Sequence, residues 1–317
     1  MSEPVASPAL PIAIGLTAAI VAMAAGEPVI LATAAASGET ALPSGPFNPL
    51  DHRTFEIGLR AWVAQQTGAK LGYVEQLYTF GDRGRHALEG DRDPHVVSVG
   101  YLALARIAPE EHGRNAQFRP WYFFLPWEDF RAGRPEVIDA AILPLLAEWA
   151  GGDKARCERV RRLFGPESGK MDEENVLERY ETLYEAGLVE EARRDGRASA
   201  LARAKLPVLG QPMRFDHRRI LATAMGRLRA KMKYRPVIFE LMPETFTLTA
   251  LQRNVEAISG RQLHKQNFRR LVEASEVAEP TGELATATGG RPAALHRFRR
   301  EAVAERREVG LRVGGRG

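Results

Sequence analysis

Apolar and polar positions follow one another in blocks whose period changes along the chain, and each change marks an element. Residues 10–25 are an apolar run of 16, Gly26-Glu27-Pro28 breaks it as a turn, and the apolar pattern resumes over 29–33. The run is shorter than the ~20 residues a membrane-spanning helix needs. A signal peptide would open with a basic region, and residues 1–11 carry only Glu3 as a charge. The pattern therefore predicts a buried β-hairpin in a cytoplasmic chain without a membrane partner. Residues 53–67 switch to helical spacing, with Phe55, Leu59, Trp62 and Val63 on the inner side and Gly68 as the stop. Residues 75–80 and 96–104 are rich in aliphatic, aromatic and β-branched side chains and predict strands. Between them, Gly81-Asp82-Arg83-Gly84-Arg85 is a polar, glycine-bearing turn. Residues 117–127 (QFRPWYFFLPW) predict a strand running into a domain edge, its aromatics packed in the core.

Beyond residue 130 the period is helical. Residues 137–149, 155–164, 175–186 and 189–204 each show one apolar face, with Gly151-Gly152 and Gly165-Pro166 as breaks. This is expected to be a helical insert that packs against the first domain or dimerises. A further helix is predicted from Asp216, as N-cap, to about residue 231. His217 has no partner motif nearby and reads as a structural or surface histidine.

The C-terminal pattern is two short helices and two strands. Thr247 or Thr249 can cap a helix whose apolar face is Leu248, Leu251, Val255 and Ile258, ending at Gly260. After a short turn, a second helix has Phe268, Leu271 and Val272 inside. Strands are predicted at 277–280 and 291–299, around a glycine-bearing turn. A helix-turn-helix followed by a hairpin is a winged helix. Its second helix exposes His264, Lys265, Gln266, Asn267, Arg269 and Arg270, side chains suited to phosphates and purine edges. Arg291 and Arg297 are the hairpin's expected contacts to a duplex.

Charge sharpens this reading. Residues 211–317 hold 21 Lys and Arg against 11 Asp and Glu, while residues 1–210 hold 23 against 29. A basic C-terminal third on an acidic remainder points to a polyanionic partner for that third. The chain has one cysteine, Cys157, which excludes an intramolecular disulfide and argues against a cysteine-based metal site.

The segment 75–104, EQLYTFGDRGRHALEGDRDPHVVSVGYLAL, resembles the sheet segment of Nudix domains that handle ADP-ribose. It is most similar to that of the Nudix-like transcriptional regulators of NAD metabolism, the NrtR and NadQ kind. The stretch from Phe246 to Phe298, with KQNFRR, TGE, GRPA and HRFR, resembles the winged helix of the same regulators, and the two resemblances come in the family's order. In those regulators the first domain runs almost directly into the second, so residues 131–208 are a departure.

Nudix hydrolases carry the box G-x5-E-x7-R-E-U-x-E-E-x-G-U, a loop and a helix whose glutamates hold Mg²⁺ against a pyrophosphate. Here the corresponding segment runs from Leu42 to Gly68; with the box's last glycine on Gly68, its R-E pair falls on Ala61 and Trp62, and its E-E pair falls on Gln65 and Gln66. Neutral amides are poor ligands for a hard dication, so no metal, no catalytic residue and no hydrolysis are expected. The competing class is an atypical hydrolase with relocated carboxylates such as Glu56, Glu75 or Glu89.

The predicted fold is α+β: a Nudix-like α/β/α sandwich over residues 1–130, a helical insert over 131–208, a winged helix-turn-helix over 209–300 and a flexible tail over 301–317. The resemblance implies a regulator, expected to be a repressor, of NAD biosynthesis genes. It implies a homodimer on a palindromic operator in double-stranded DNA, controlled by an adenine nucleotide (ADP-ribose, NAD or ATP). Expected effector contacts are Asp82, with Arg83 and Arg85 on phosphates and Tyr78 or Phe80 near a base; a salt bridge closing the loop, such as Asp82 with Arg85, is the alternative use of these charges.

Overall fold

The computed structural model describes residues 11–35, 38–82, 85, 95–106, 116–165, 172–285 and 292–300. The first apolar run is the hairpin expected from its pattern: β1 (Ile12–Ala24) turns at Ala25-Gly26 into β2 (Glu27–Ala34), antiparallel, with Val21 opposite Ile30. Short strands β3 (Thr40–Ala41) and β4 (Ser44–Pro46) lead to α1 (Phe55–Thr67), which is followed by β5 (Val74–Phe80) and β6 (His95–Leu104). β6 lies parallel to β1 over ten residues, from Ile12 opposite His95 to Val21 opposite Leu104. The sheet order is β3-β2-β1-β6-β5, with β4 paired to β1 and β7 (Ala116–Pro120) paired to β2.

The alternation along β1 decides what each face of the sheet meets. Leu16, Ala18 and Ile20 join Val99, Tyr101 and Ala103 under Leu59 and Val63 of α1. Ala19 and Val21, with Leu102 and Leu104, face the opposite way into a larger core. That core continues without a break through Trp121, Leu146, Tyr180, Leu221 and Leu228 to Leu251 and Phe268. It therefore runs across residues 130 and 208, and the helices between them pack as part of one body.

Those helices are a π-helical turn (Ile138–Ile142) running into α2 (Leu143–Ala150), then α3 (Lys154–Phe164), α4 (Val176–Glu185), α5 (Glu190–Arg194) and α6 (Ala198–Leu201). The single helix expected over 189–204 is corrected to two short ones: Asp195 and Gly196, the latter at φ 73°, part them. The aromatic stretch is a strand only to Pro120; two 3-10 turns then bury Trp121, Tyr122 and Trp127. Cys157 is exposed on α3. None of the described helices is long and apolar enough to cross a membrane.

α7 (His217–Met232) packs on the sheet and on α4, and His217 is buried, its Nδ1 accepting from the Leu42 N–H at 2.9 Å. The winged helix follows: β8 (Thr245–Thr247), α8 (Leu248–Ser259), α9 (Lys265–Ser275), β9 (Ala278–Ala285) and β10 (Ala293–Phe298), with sheet order β8-β10-β9. Thr247 is the cap, its Oγ1 accepting from Ala250 N–H at 3.1 Å. The third strand, β8, has no sequence signature: three residues leading into a helix leave no period to read.

Candidate functional sites

α9 is built to present one polar face. Phe268 and Val272 are buried at helical spacing, which pins the helix and turns the rest outward. His264, Lys265, Gln266, Asn267, Arg269 and Arg270 are all exposed. Lys265, Arg269 and Arg270 form no ion pair among the described residues. Arg297 on β10 is exposed and faces Glu279 across the hairpin, 2.7 Å away. Arg291 lies outside the described residues.

The box segment keeps its loop-helix geometry with different chemistry. Thr54 caps α1, accepting from Ile57 N–H at 3.2 Å, and Gly68 ends it at φ 72°. Gln66 Oε1 accepts from the Ser44 N–H at 3.1 Å while its Nε2 donates to the Ser44 carbonyl at 2.6 Å. Trp62 Nε1 donates to Pro46 O at 2.7 Å, and its ring lies so close over Gly45 that a Cβ there would sit 2.3 Å from it. Gln65 is exposed. Loop and helix are thus tied by amide and indole contacts where a hydrolase would set carboxylates. Among the described residues no group of three or more His, Cys, Asp or Glu converges to hold a metal, and this donor set does not fit Mg²⁺. Glu56 is paired with Arg60 at 2.9 Å and Glu75 with Lys231 at 2.7 Å, while Glu89 lies outside the described residues.

The turn after β5 is bolted to the helices behind it. Arg85 is buried, with both terminal nitrogens on Glu181 (3.1 and 2.8 Å), Asp216 at 3.4 Å and the Tyr184 ring centre at 3.7 Å. Burial works against its charge, but Glu181 and Asp216 raise its pKa above the usual value. Asp82 pairs with Arg219 of α7, and that guanidinium lies 5.2 Å from the Phe80 ring centre. Burial would raise the Asp82 pKa, and the Arg219 pairing holds it below the usual value. Phe80 is in the core and Tyr78 is 62% exposed. Arg83 lies outside the described residues. These ion pairs join the turn to α4 and α7, not Asp82 to Arg85, so Phe80 and Arg85 are already engaged within the fold.

A cleft of about 440 Å³ opens beside α1, lined by Ala41, Leu42 and Ser44, by Trp62, Gln65 and Gln66, and by Arg214. In the run MRFDHRR no pattern of the sequence separates Arg214 from the other arginines.

The segment 238–298 matches the NrtR DNA-binding winged helix domain. The structure of Shewanella oneidensis NrtR complexed with a 27mer DNA superposes with a TM-score of 0.55 and 19% identity, over 92% of this chain and 95% of that one. The fold is that of NrtR. The ADPR responsive transcriptional repressor NtrR of Acinetobacter baylyi is 45% identical over 84 residues, 26% of this chain and 33% of the relative. The match thus spans about a third of that repressor's length. A MutT/nudix family protein from Enterococcus faecalis also superposes, with a TM-score of 0.53 and 16% identity over 91% of this chain and 88% of that one. The α/β/α sandwich and winged helix expected from the sequence are therefore both present, in NrtR order.

Proposed function

We propose that the chain is a DNA-binding transcriptional repressor of NAD biosynthesis genes, controlled by ADP-ribose or a related adenine nucleotide (NAD, ATP) bound to its Nudix-like domain. The observation that carries this reading is α9. It is a helix fixed by two buried side chains that presents three cations with no ion pair among the described residues, and three polar side chains, on a winged helix of NrtR sequence type. Such a face suits the major groove, with Lys and Arg on phosphates and Gln, Asn and Arg on base edges. The ADP-ribose response of the Acinetobacter relative supports that nucleotide as the effector. A homodimer on a palindromic operator follows from the two half-sites that one winged helix per protomer would read.

The Nudix-like domain acts here as a receptor and not as a hydrolase. Gln65 and Gln66 stand at the positions that need anionic oxygens, and Gln66 is committed to Ser44. Fragments of the source genome retained by the protein, read back and titrated by anisotropy with and without ADP-ribose, NAD and ATP, test the proposal. Sequence-specific binding altered by one nucleotide is expected. Weak binding of every duplex, steeply salt-dependent and indifferent to nucleotides, would refute it. Mg²⁺-dependent turnover of ADP-ribose would instead favour the hydrolase.

A further inference from the structure

Arg214 is the one charged side chain in the lining of the cleft beside α1, which holds no carboxylate among the described residues. The backbone around it is fixed from both sides. Its N–H donates to Thr40 O at 2.8 Å, and its carbonyl accepts from His217 N–H at 3.1 Å. The next residue, Phe215, sits at φ 49°, a left-handed conformation that is costly for an aromatic residue. Arg194 holds that turn by donating to the carbonyls of Met213 and Phe215, both at 3.0 Å. The Arg214 guanidinium rests 4.3 Å from the Phe215 ring centre. Arg85, Arg179, Arg218, Arg219 and Arg229 each meet a carboxylate; Arg214 meets none among the described residues. A half-buried, positioned guanidinium at an acid-free cleft is a site for an anion.

We propose that this cleft binds the diphosphate of the effector with Arg214 as its counter-charge, so that recognition needs no divalent cation. The inference rests on the reading of the chain as nucleotide-controlled. Replacing carboxylates by Gln65 and Gln66 removes the repulsion that would otherwise demand a metal between protein and diphosphate. The exposed Gln65 amide adds a donor, and the half-buried Trp62 ring offers a face for the ribose or base. α7 begins three residues after Arg214, and its first residue accepts from Leu42 of the same cleft.

The test is calorimetric titration of the full chain with inorganic pyrophosphate and with ADP-ribose, in EDTA and in Mg²⁺. Both ligands are expected to bind in EDTA, with Mg²⁺ changing affinity by less than about threefold. Arg214→Ala is expected to weaken both at least about tenfold, the scale of a lost charge-assisted pair, and Arg214→Lys by less. Gln65→Glu, which leaves Arg214 and the Gln66–Ser44 pair intact, is expected to weaken both by facing the anion with a like charge. Binding that appears only with Mg²⁺, or that Arg214→Ala leaves unchanged, would overturn the proposal. Pyrophosphate binding that depends on Arg214, with no nucleotide affecting any duplex, would keep this site and remove the regulator reading. A nucleotide effect on DNA that survives Arg214→Ala would do the reverse.

Discussion

Gln66 makes a contact that the glutamate of a hydrolase could not make. Its amide both accepts from and donates to Ser44, whereas a carboxylate could only accept and would face the Ser44 carbonyl across 2.6 Å. Gln66→Glu is therefore expected to destabilise the chain by about 1–3 kcal/mol in urea denaturation, more at pH 8 than at pH 4, and to confer no Mg²⁺-dependent turnover. Asp216 gives a second pH-dependent expectation. Burial pushes its pKa up to about 6, although Arg85 at 3.4 Å and Arg219 at 3.6 Å oppose the shift. A folded pKa above the unfolded one means a stabilising contribution that is complete below about pH 4 and lost as pH rises through about 6. Asp216→Asn removes that contribution. Denaturation from pH 4 to pH 7 should show the variant gaining on the wild type by on the order of 2–3 kcal/mol; a constant difference would contradict it. The two glutamines were legible because the box fixes their spacing. The use of Arg85 was not, because its partners Glu181 and Asp216 lie 96 and 131 residues away.

At the scale of elements, α9 carries the DNA reading. Lys265→Ala with Arg269→Ala is expected to abolish specific binding and to reduce the salt slope of residual binding by about 2, while ADP-ribose affinity by calorimetry stays unchanged. Loss of effector binding in that variant would contradict separate sites. α8 was legible because Thr247 caps it, Gly260 stops it and its apolar face is strict, α9 because Phe268, Leu271 and Val272 mark one face, and the β1–β2 hairpin because an apolar run meets a turn at Gly26. The 189–204 segment read as one helix because its apolar spacing persists through Gly196, where the positive φ breaks it. Phe80 read as a ligand platform from its strand; its burial depends on α7, which packs across the sheet from more than 130 residues away.

Across the whole molecule, one buried charge cluster joins the segment after β7 to α4, α7 and the end of α8. Glu128 is fully buried between Arg179, 2.5 and 2.7 Å away, and Arg229, 2.8 Å away. Burial would raise its pKa, and the two guanidiniums hold it below the usual value. Its stabilising contribution is thus present above pH 4.5 and lost as pH falls through the lowered folded value. Arg229 also donates to Ile258 O at 2.9 Å, Tyr122 to Ala257 O at 2.7 Å, and the Phe130 N–H to Gly260 O at 2.7 Å. These donors satisfy two of the last carbonyls of α8 and that of its cap, Gly260. At Gly260, φ is 74° and a Cβ would sit 2.5 Å from Glu128 O, so only glycine closes the joint. Glu128→Gln leaves two guanidiniums short of a counter-charge and is expected to cost about 3–5 kcal/mol in thermal or urea unfolding. A loss under about 1 kcal/mol would place the cluster's weight elsewhere.

In the proposed mechanism, a nucleotide held without metal sets the grip of the winged helix on DNA. The most direct measurement is anisotropy of a duplex that the protein selects from genomic fragments, titrated with and without ADP-ribose in EDTA at two salt concentrations. Specific binding that ADP-ribose shifts by at least about fivefold, the lower range of allosteric coupling, is expected at both salt concentrations. Identical curves with and without the nucleotide, or a shift that appears only when Mg²⁺ is added, would contradict it.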